Sequence, residues 1–144
     1  MTTTFIAGFV VSIIFTFLSF VHFYWAFSGN LMHEYVIPEI NGEKIFSPSK
    51  LMTAAVGLGL LGFAFVILGH IGVFELLFLN TAFKYGTWLI ALIFFVRAIG
   101  DFKYAGFFKK VKNTKFAFWD TRLYSPLCLL IAILTILVIY NHTP

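Results

Sequence analysis

The chain has 144 residues, 60% of them hydrophobic and only 11% charged, with a mean hydropathy of +0.95, and this excludes a soluble domain that must cover its surface with charge. The formal charge of +4 and pI near 9.3 do not argue for a nucleic-acid partner, because most of the positive residues gather beside an apolar segment, where anionic lipid headgroups are the simpler partner. A single cysteine, Cys128 in an apolar run, excludes an intrachain disulfide and reads as a small buried hydrophobe.

Met1-Thr-Thr-Thr-Phe5 holds no lysine or arginine, and no small-residue cleavage pattern ends the apolar run that follows, so a permanent first span is expected rather than a signal peptide. Residues 5–27 have no charged side chain apart from the titratable His22, and at 1.5 Å per residue they reach about 34 Å, enough for the hydrocarbon core. Gly8, Ser12, Thr16, Ser19, Phe23 and Ala26 share one face, a small and hydroxylated stripe that lets membrane helices approach closely. His22 borders that stripe, and Tyr24 and Trp25 mark the interface.

Ser28 to Ser49 is the first loop, in which Asn41-Gly42 between short apolar-polar alternations predicts a hairpin. Ser47-Pro48 supplies an N-cap and a first-turn proline for a second span over about 49–70, where Gly57, Gly59 and Gly62 offer flat places to neighbours. The apolar segment around Glu75 is too short to span and reads as an interfacial connection. A third span is expected over about 83–103, running into Tyr104. Asp120 is expected to cap a fourth, over about 121–140, with Pro126 as a kink. The fold class is therefore all-α: a single transmembrane domain over residues 1–144, built as a four-helix bundle. Lys44, Lys50, Lys103, Lys109, Lys110, Lys112, Lys115 and Arg122 lie on the side of the first and third loops and only Lys84 on the other, so those loops, the hairpin included, are expected in the cytoplasm, with both termini outside.

Ionisable groups among apolar spans are costly, and their presence is a functional hypothesis. Arg97, Asp101 and Tyr104 follow the i, i+4, i+7 spacing that places them on one face of a continuous helix, where Arg97 and Asp101 would pair. His22, Trp25, Asp120, Arg122 and Tyr124 are predicted at the same membrane level, so a ligand site at the cytoplasmic mouth is one outcome. The other is a bland one, with Arg97 snorkelling to phosphate and Asp101 as its exposed partner. Lys109, Lys110, Lys112 and Lys115, bracketed by aromatic residues that include Trp119, read as a membrane-surface anchor. No metal-ligand spacing is present, and His22 and His70 fall near opposite faces, so no metal or other cofactor is expected.

His22-Phe-Tyr-Trp-Ala-Phe-Ser-Gly29, Arg97-Ala-Ile-Gly-Asp101 with the following Phe-Lys-Tyr-Ala-Gly-Phe-Phe-Lys109, and Asp120-Thr-Arg-Leu-Tyr-Ser-Pro-Leu-Cys128 together resemble a family of small bacterial four-helix membrane proteins catalogued as a domain of unknown function. The resemblance covers nearly the whole chain and implies a four-helix architecture in a bacterial inner membrane. It carries no activity. In architecture alone the chain is also similar to the four-helix membrane sterol-isomerase and sigma-two-receptor group, whose members hold acidic and histidine side chains in a membrane cavity, although paired carboxylates are missing from its spans.

Two functional expectations follow. In the first, an amphipathic lipid-like molecule enters laterally with its head at the cytoplasmic mouth, where Arg97 holds an anionic or carbonyl group, Asp101 orients Arg97, and His22 with Tyr124 handles a proton. In the second, a dimer joined through small-residue faces transports a solute, although the middle of each span offers little polarity beyond Thr16 and Thr135. A third reading, a structural subunit of a larger complex, fits the aromatic-rich surface.

Overall fold

A long apolar run has no water to bond its amides in a membrane, so its backbone must satisfy itself, and the helix is the form that does so within one segment. The computed structural model describes residues 2–28, 33–40, 43–74, 76 and 79–141. It is all-helical apart from one small hairpin, and four helices, Thr3–Ser28, Lys50–His70, Asn80–Ile99 and Lys115–Tyr140, are each long and apolar enough to cross a membrane. In chain order the elements are α1 (Thr2–Ser28), α2 (His33–Val36), β1 (Glu39–Ile40), β2 (Glu43–Lys44), α3 (Lys50–His70), α4 (Asn80–Ile99), α5 (Lys115–Trp119), a π-helical stretch (Asp120–Tyr124) and α6 (Ser125–Asn141).

The long helices form a ring in which α1 packs on α3, α3 on α4, α4 on α6 and α6 back on α1. Val11, Phe15, Leu60, Ala64, Ile67, Ile90, Phe94, Ile131 and Ala132 fill its centre, so all four helices contribute to one core. Phe15 stands 5.7 Å from Phe63 and 5.1 Å from Phe94, ring centre to ring centre, in tilted arrangements that suit aromatic quadrupoles. Large apolar side chains such as Phe17, Phe20 and Leu58 point outward and are about two-thirds exposed, as a lipid-facing surface requires.

The small stripe of α1 is the face that meets α3. Ser19 Oγ donates to the Gly57 carbonyl at 2.7 Å, and a Cβ on Gly57 would stand 3.3 Å from the Ser19 carbonyl oxygen. Gly59 and Gly62 differ from expectation: a Cβ at either meets nothing within 4 Å, so they face outward and give no neighbour a seat. Close approach elsewhere uses Gly8 against Ile71, Gly69 against Phe83 and Gly86 against Val66.

Three boundaries also differ. The cap of α3 is Ser49, whose side chain accepts from the Met52 amide at 3.2 Å, and Ser47-Pro48 lies just ahead of the helix. α4 stops at Ile99, because Gly100 takes φ +91, a conformation that leaves the helix and favours glycine. The last helix starts at Lys115, where Thr114 is the N-cap, so Asp120 lies inside it and caps nothing. Pro126 has no amide proton for the Arg122 carbonyl, and its ring would strike that carbonyl in a regular helix. The chain widens to a π turn instead, in which the Ser125 amide donates to the Asp120 carbonyl. β1 and β2 pair antiparallel with Glu39 opposite Lys44 and Ile40 opposite Glu43, as the hairpin pattern predicts; Asn41-Gly42 and Glu75 lie outside the described residues.

Candidate functional site

Asp120 is the centre of the polar end of the bundle. The π turn points its carboxylate inward, where it is fully buried, and its donors come from α4, from the 100–114 connection and from the start of α6. Arg97 Nη2, from the last turn of α4, donates to Oδ1 at 2.9 Å. Oδ2 accepts from the Gly106 amide at 2.8 Å, Lys109 Nζ at 3.0 Å and Ser125 Oγ at 3.1 Å. Lys109 uses its remaining protons on the Gly106 carbonyl at 3.0 Å and Thr121 Oγ1 at 2.6 Å, so its ammonium is fully satisfied. Two cations thus close on one carboxylate in a hydrogen-bonded network, a form in which buried charge is tolerable. Arg97 Nη1 is buried and meets no acceptor among the described residues.

This replaces the expected Arg97–Asp101 pair. With α4 ended at Gly100, Asp101 lies in the following loop, and its Oδ1 accepts from the amides of Lys103 at 3.0 Å, Tyr104 at 2.7 Å and Ala105 at 2.9 Å. What little desolvation it feels would raise its pKa, but the amides of Ala105, Tyr104 and Lys103 outweigh that and hold the carboxyl below its ordinary value. The loop closes tightly: Asp101 donates its amide to the Ala105 carbonyl at 3.2 Å and Phe107 to that of Ala98 at 2.9 Å. Gly100 and Gly106 are pressed together with positive φ, so a Cβ on Gly100 would fall on the Ala105 carbonyl and one on Gly106 on the Ile99 carbonyl.

The other sequence-derived candidates disperse around this centre. Tyr104 lies in the loop beneath Lys103, whose Nζ is 4.9 Å from its ring centre. Arg122 is exposed and stacks over Phe118 at 4.2 Å. Tyr124 packs on Phe116 at 6.1 Å and donates to the Tyr35 carbonyl at 3.2 Å, which ties α2 to the last helix. Of the residues expected at the membrane surface, Lys110, Lys112, Lys115 and Trp119 are exposed, but Lys109 is 4% exposed and belongs to the Asp120 network.

His22 and Trp25 stand apart from Asp120. Together with Met52, Thr53 and Val56 of α3 and the chain around Ile37 and Phe46, they line a partly open pocket of about 340 Å³ at the same end of the bundle. Neither Arg97, Asp101, Asp120 nor Tyr124 borders it. The His22 ring lies 5.3 Å from Trp25, and its Nδ1 is 2.7 Å from the Leu18 carbonyl. A carbonyl only accepts, so Nδ1 carries the proton, and Nε2 of the neutral ring is an acceptor. Sequence spacing located His22 and Trp25 but not their cavity, because the hairpin pattern that predicts strand pairing does not say which helix Ile37 and Phe46 lie against. Among the described residues, no three histidine, cysteine, aspartate or glutamate side chains gather where a metal ion could sit.

No curated protein and no solved structure matches the chain. Residues 15–135, which contain the Ser19–Gly57 contact, the pocket and the Asp120 network, match the model of the family described as "Protein of unknown function (DUF3995)", and the chain belongs to that family.

Proposed function

We propose that this multi-pass membrane protein binds an amphipathic lipid-like molecule in the pocket between α1 and α3, in a bacterial inner membrane with the basic end of the bundle toward the cytoplasm. The observation that supports it is the 340 Å³ pocket itself, apolar through Ile37, Phe46, Met52 and Val56, with a few polar groups from His22, Trp25 and Thr53. Binding sites for small apolar ligands have this character, a mostly hydrophobic concavity with a handful of orienting polar atoms. In this reading the Arg97–Asp120–Lys109 network is the support that fixes α4 against the last helix, and His22 replaces Arg97 as the group nearest the ligand.

Transport is less favoured. Thr16 and Thr135 spend their hydroxyls on the Ser12 and Ile131 carbonyls of their own helices, at 2.8 and 2.7 Å, so they offer a solute no path of free polar groups. The test is native mass spectrometry of the protein released from mild detergent. Wild type is expected to retain a lipid-sized adduct, and Val56→Trp, which fills the pocket from an exposed helix position, to lose it. Equal adducts in both proteins would remove the pocket as the binding site.

A further inference from the structure

We propose that the pocket selects an uncharged lipid whose polar end is a hydroxyl, and that this hydroxyl donates to Nε2 of His22. The inference rests on the pocket being a binding site, and it assigns the chemistry of the head that site accepts.

Charge is decided by the lining. Among the described residues, no lysine, arginine, aspartate or glutamate borders the pocket, and the buried cation Lys109 has all three protons committed to Gly106, Asp120 and Thr121. An ionised head placed there would be desolvated with no lysine, arginine or carboxylate among its described neighbours to pair with, which is more costly than burying a hydrogen-bonded neutral group. This departs from the expectation that Arg97 would hold an anionic head, since Arg97 is bound to Asp120 outside the pocket.

Polarity of the hydrogen bond is decided by two local bonds. His22 gives its Nδ1 proton to the Leu18 carbonyl, and Thr53 gives its hydroxyl proton to the Ser49 carbonyl at 3.1 Å. What both side chains retain afterwards is acceptor capacity, whereas the indole N–H of Trp25, the third polar-tipped residue of the lining, is a donor only. A hydroxyl meets this set, because it donates to His22 or Thr53 and accepts from Trp25. An ether or ester oxygen only accepts and leaves His22 unmet, a mismatch of the kind that lowers affinity. Size limits the remainder: at about 30 Å³ per non-hydrogen atom, the share of one water in the liquid, the cavity holds about a dozen such atoms. The hydroxyl and the first ten or so carbons fit, and a longer chain would leave through the open side.

The experiment uses the full chain in nanodiscs of zwitterionic lipid and a decyl alcohol carrying a photoactivatable diazirine. Crosslinked positions are read by tandem mass spectrometry, and decan-1-ol, methyl decyl ether and decanoate serve as competitors. Labelling is expected on the α1 segment around His22 and the α3 segment around Thr53, with decan-1-ol competing about five- to tenfold better than the ether, the factor worth one hydrogen bond. His22→Phe is expected to erase that preference while keeping the labelled positions. Thr53→Val, which leaves the imidazole in place, should retain most of it, and this variant serves if His22→Phe fails to fold. Equal competition by alcohol and ether in wild type would overturn the hydroxyl assignment and leave the pocket standing. Strongest competition by decanoate would overturn it in favour of an anionic head. Labelling that avoids the pocket altogether would instead defeat the binding site on which the proposal rests.

Discussion

Asp120 is the residue whose loss reaches furthest. Removing its charge leaves Arg97 and Lys109 facing each other's surroundings without a counter-ion, and breaking a buried ion network by deleting one partner costs about 3–5 kcal/mol. Asp120→Asn is therefore expected to lower stability by about 3 kcal/mol in denaturant titrations followed by tryptophan fluorescence in detergent. Replacing all three members together, as Arg97→Met, Lys109→Met and Asp120→Leu, should recover much of that loss, because no uncompensated charge remains. Asp101 gives a pH prediction. Its folded pKa lies below the unfolded one, so its contribution is fully present above the ordinary carboxylate pKa of about 4 and is lost as pH falls through the lower, folded value. Between neutral and acidic pH, wild type should lose more thermal stability than Asp101→Asn; parallel curves would show that the three amides do not favour the charged form.

At the scale of elements, the glycines of α3 have opposite roles despite their shared spacing. Gly57 lies against Ser19 and His22, so Gly57→Leu should force α1 and α3 apart and cost about 2 kcal/mol, as overpacked contacts do. Gly59→Leu meets open space and should stay within about 0.5 kcal/mol of wild type in the same titration. Equal losses at both positions would mean that outward glycines serve an interface beyond the single chain. The four long helices were legible in the sequence because apolar length is a local signal, and the hairpin because strand alternation flanks a turn pair. The end of α4 was not: Arg97, Asp101 and Tyr104 have helical spacing, and only the positive φ of Gly100 shows that the spacing is not realised. The pair Gly100 and Gly106 around Asp101 was the available hint of a closed loop. Likewise Pro126, with the carbonyl of Arg122 to avoid, pointed to a disturbed turn that could swing Asp120 inward.

For the whole molecule, Lys109 shows why composition reads sidedness more easily than it reads a site. It looked like one member of a basic run, and the fold selects it alone for burial while Lys110 and Lys112 remain exposed. Even without Lys109, exposed cations crowd the end that carries the hairpin and the 100–114 connection, opposite Lys84. That end is expected in the cytoplasm. Single cysteines placed at Lys112 and at Lys84, in a Cys128→Ala background, check this with a membrane-impermeant maleimide on intact cells: position 84 should label and position 112 only after lysis. The reverse pattern would invert the bundle.

Chain order adds a consequence of the Asp120 network. Arg97 and Lys109 are synthesised before the carboxylate that neutralises them, separated from it by 23 and 11 residues. While α4 is being oriented during biogenesis, both are uncompensated cations and count in full toward the charge bias that sets its direction. Only when the last segment inserts does Asp120 neutralise both and draw Lys109 into the interior. On the orientation proposed above, the same two side chains would act first as a topogenic signal and afterwards as a latch, and Asp120→Asn should leave the insertion direction unchanged while the assembled bundle loosens.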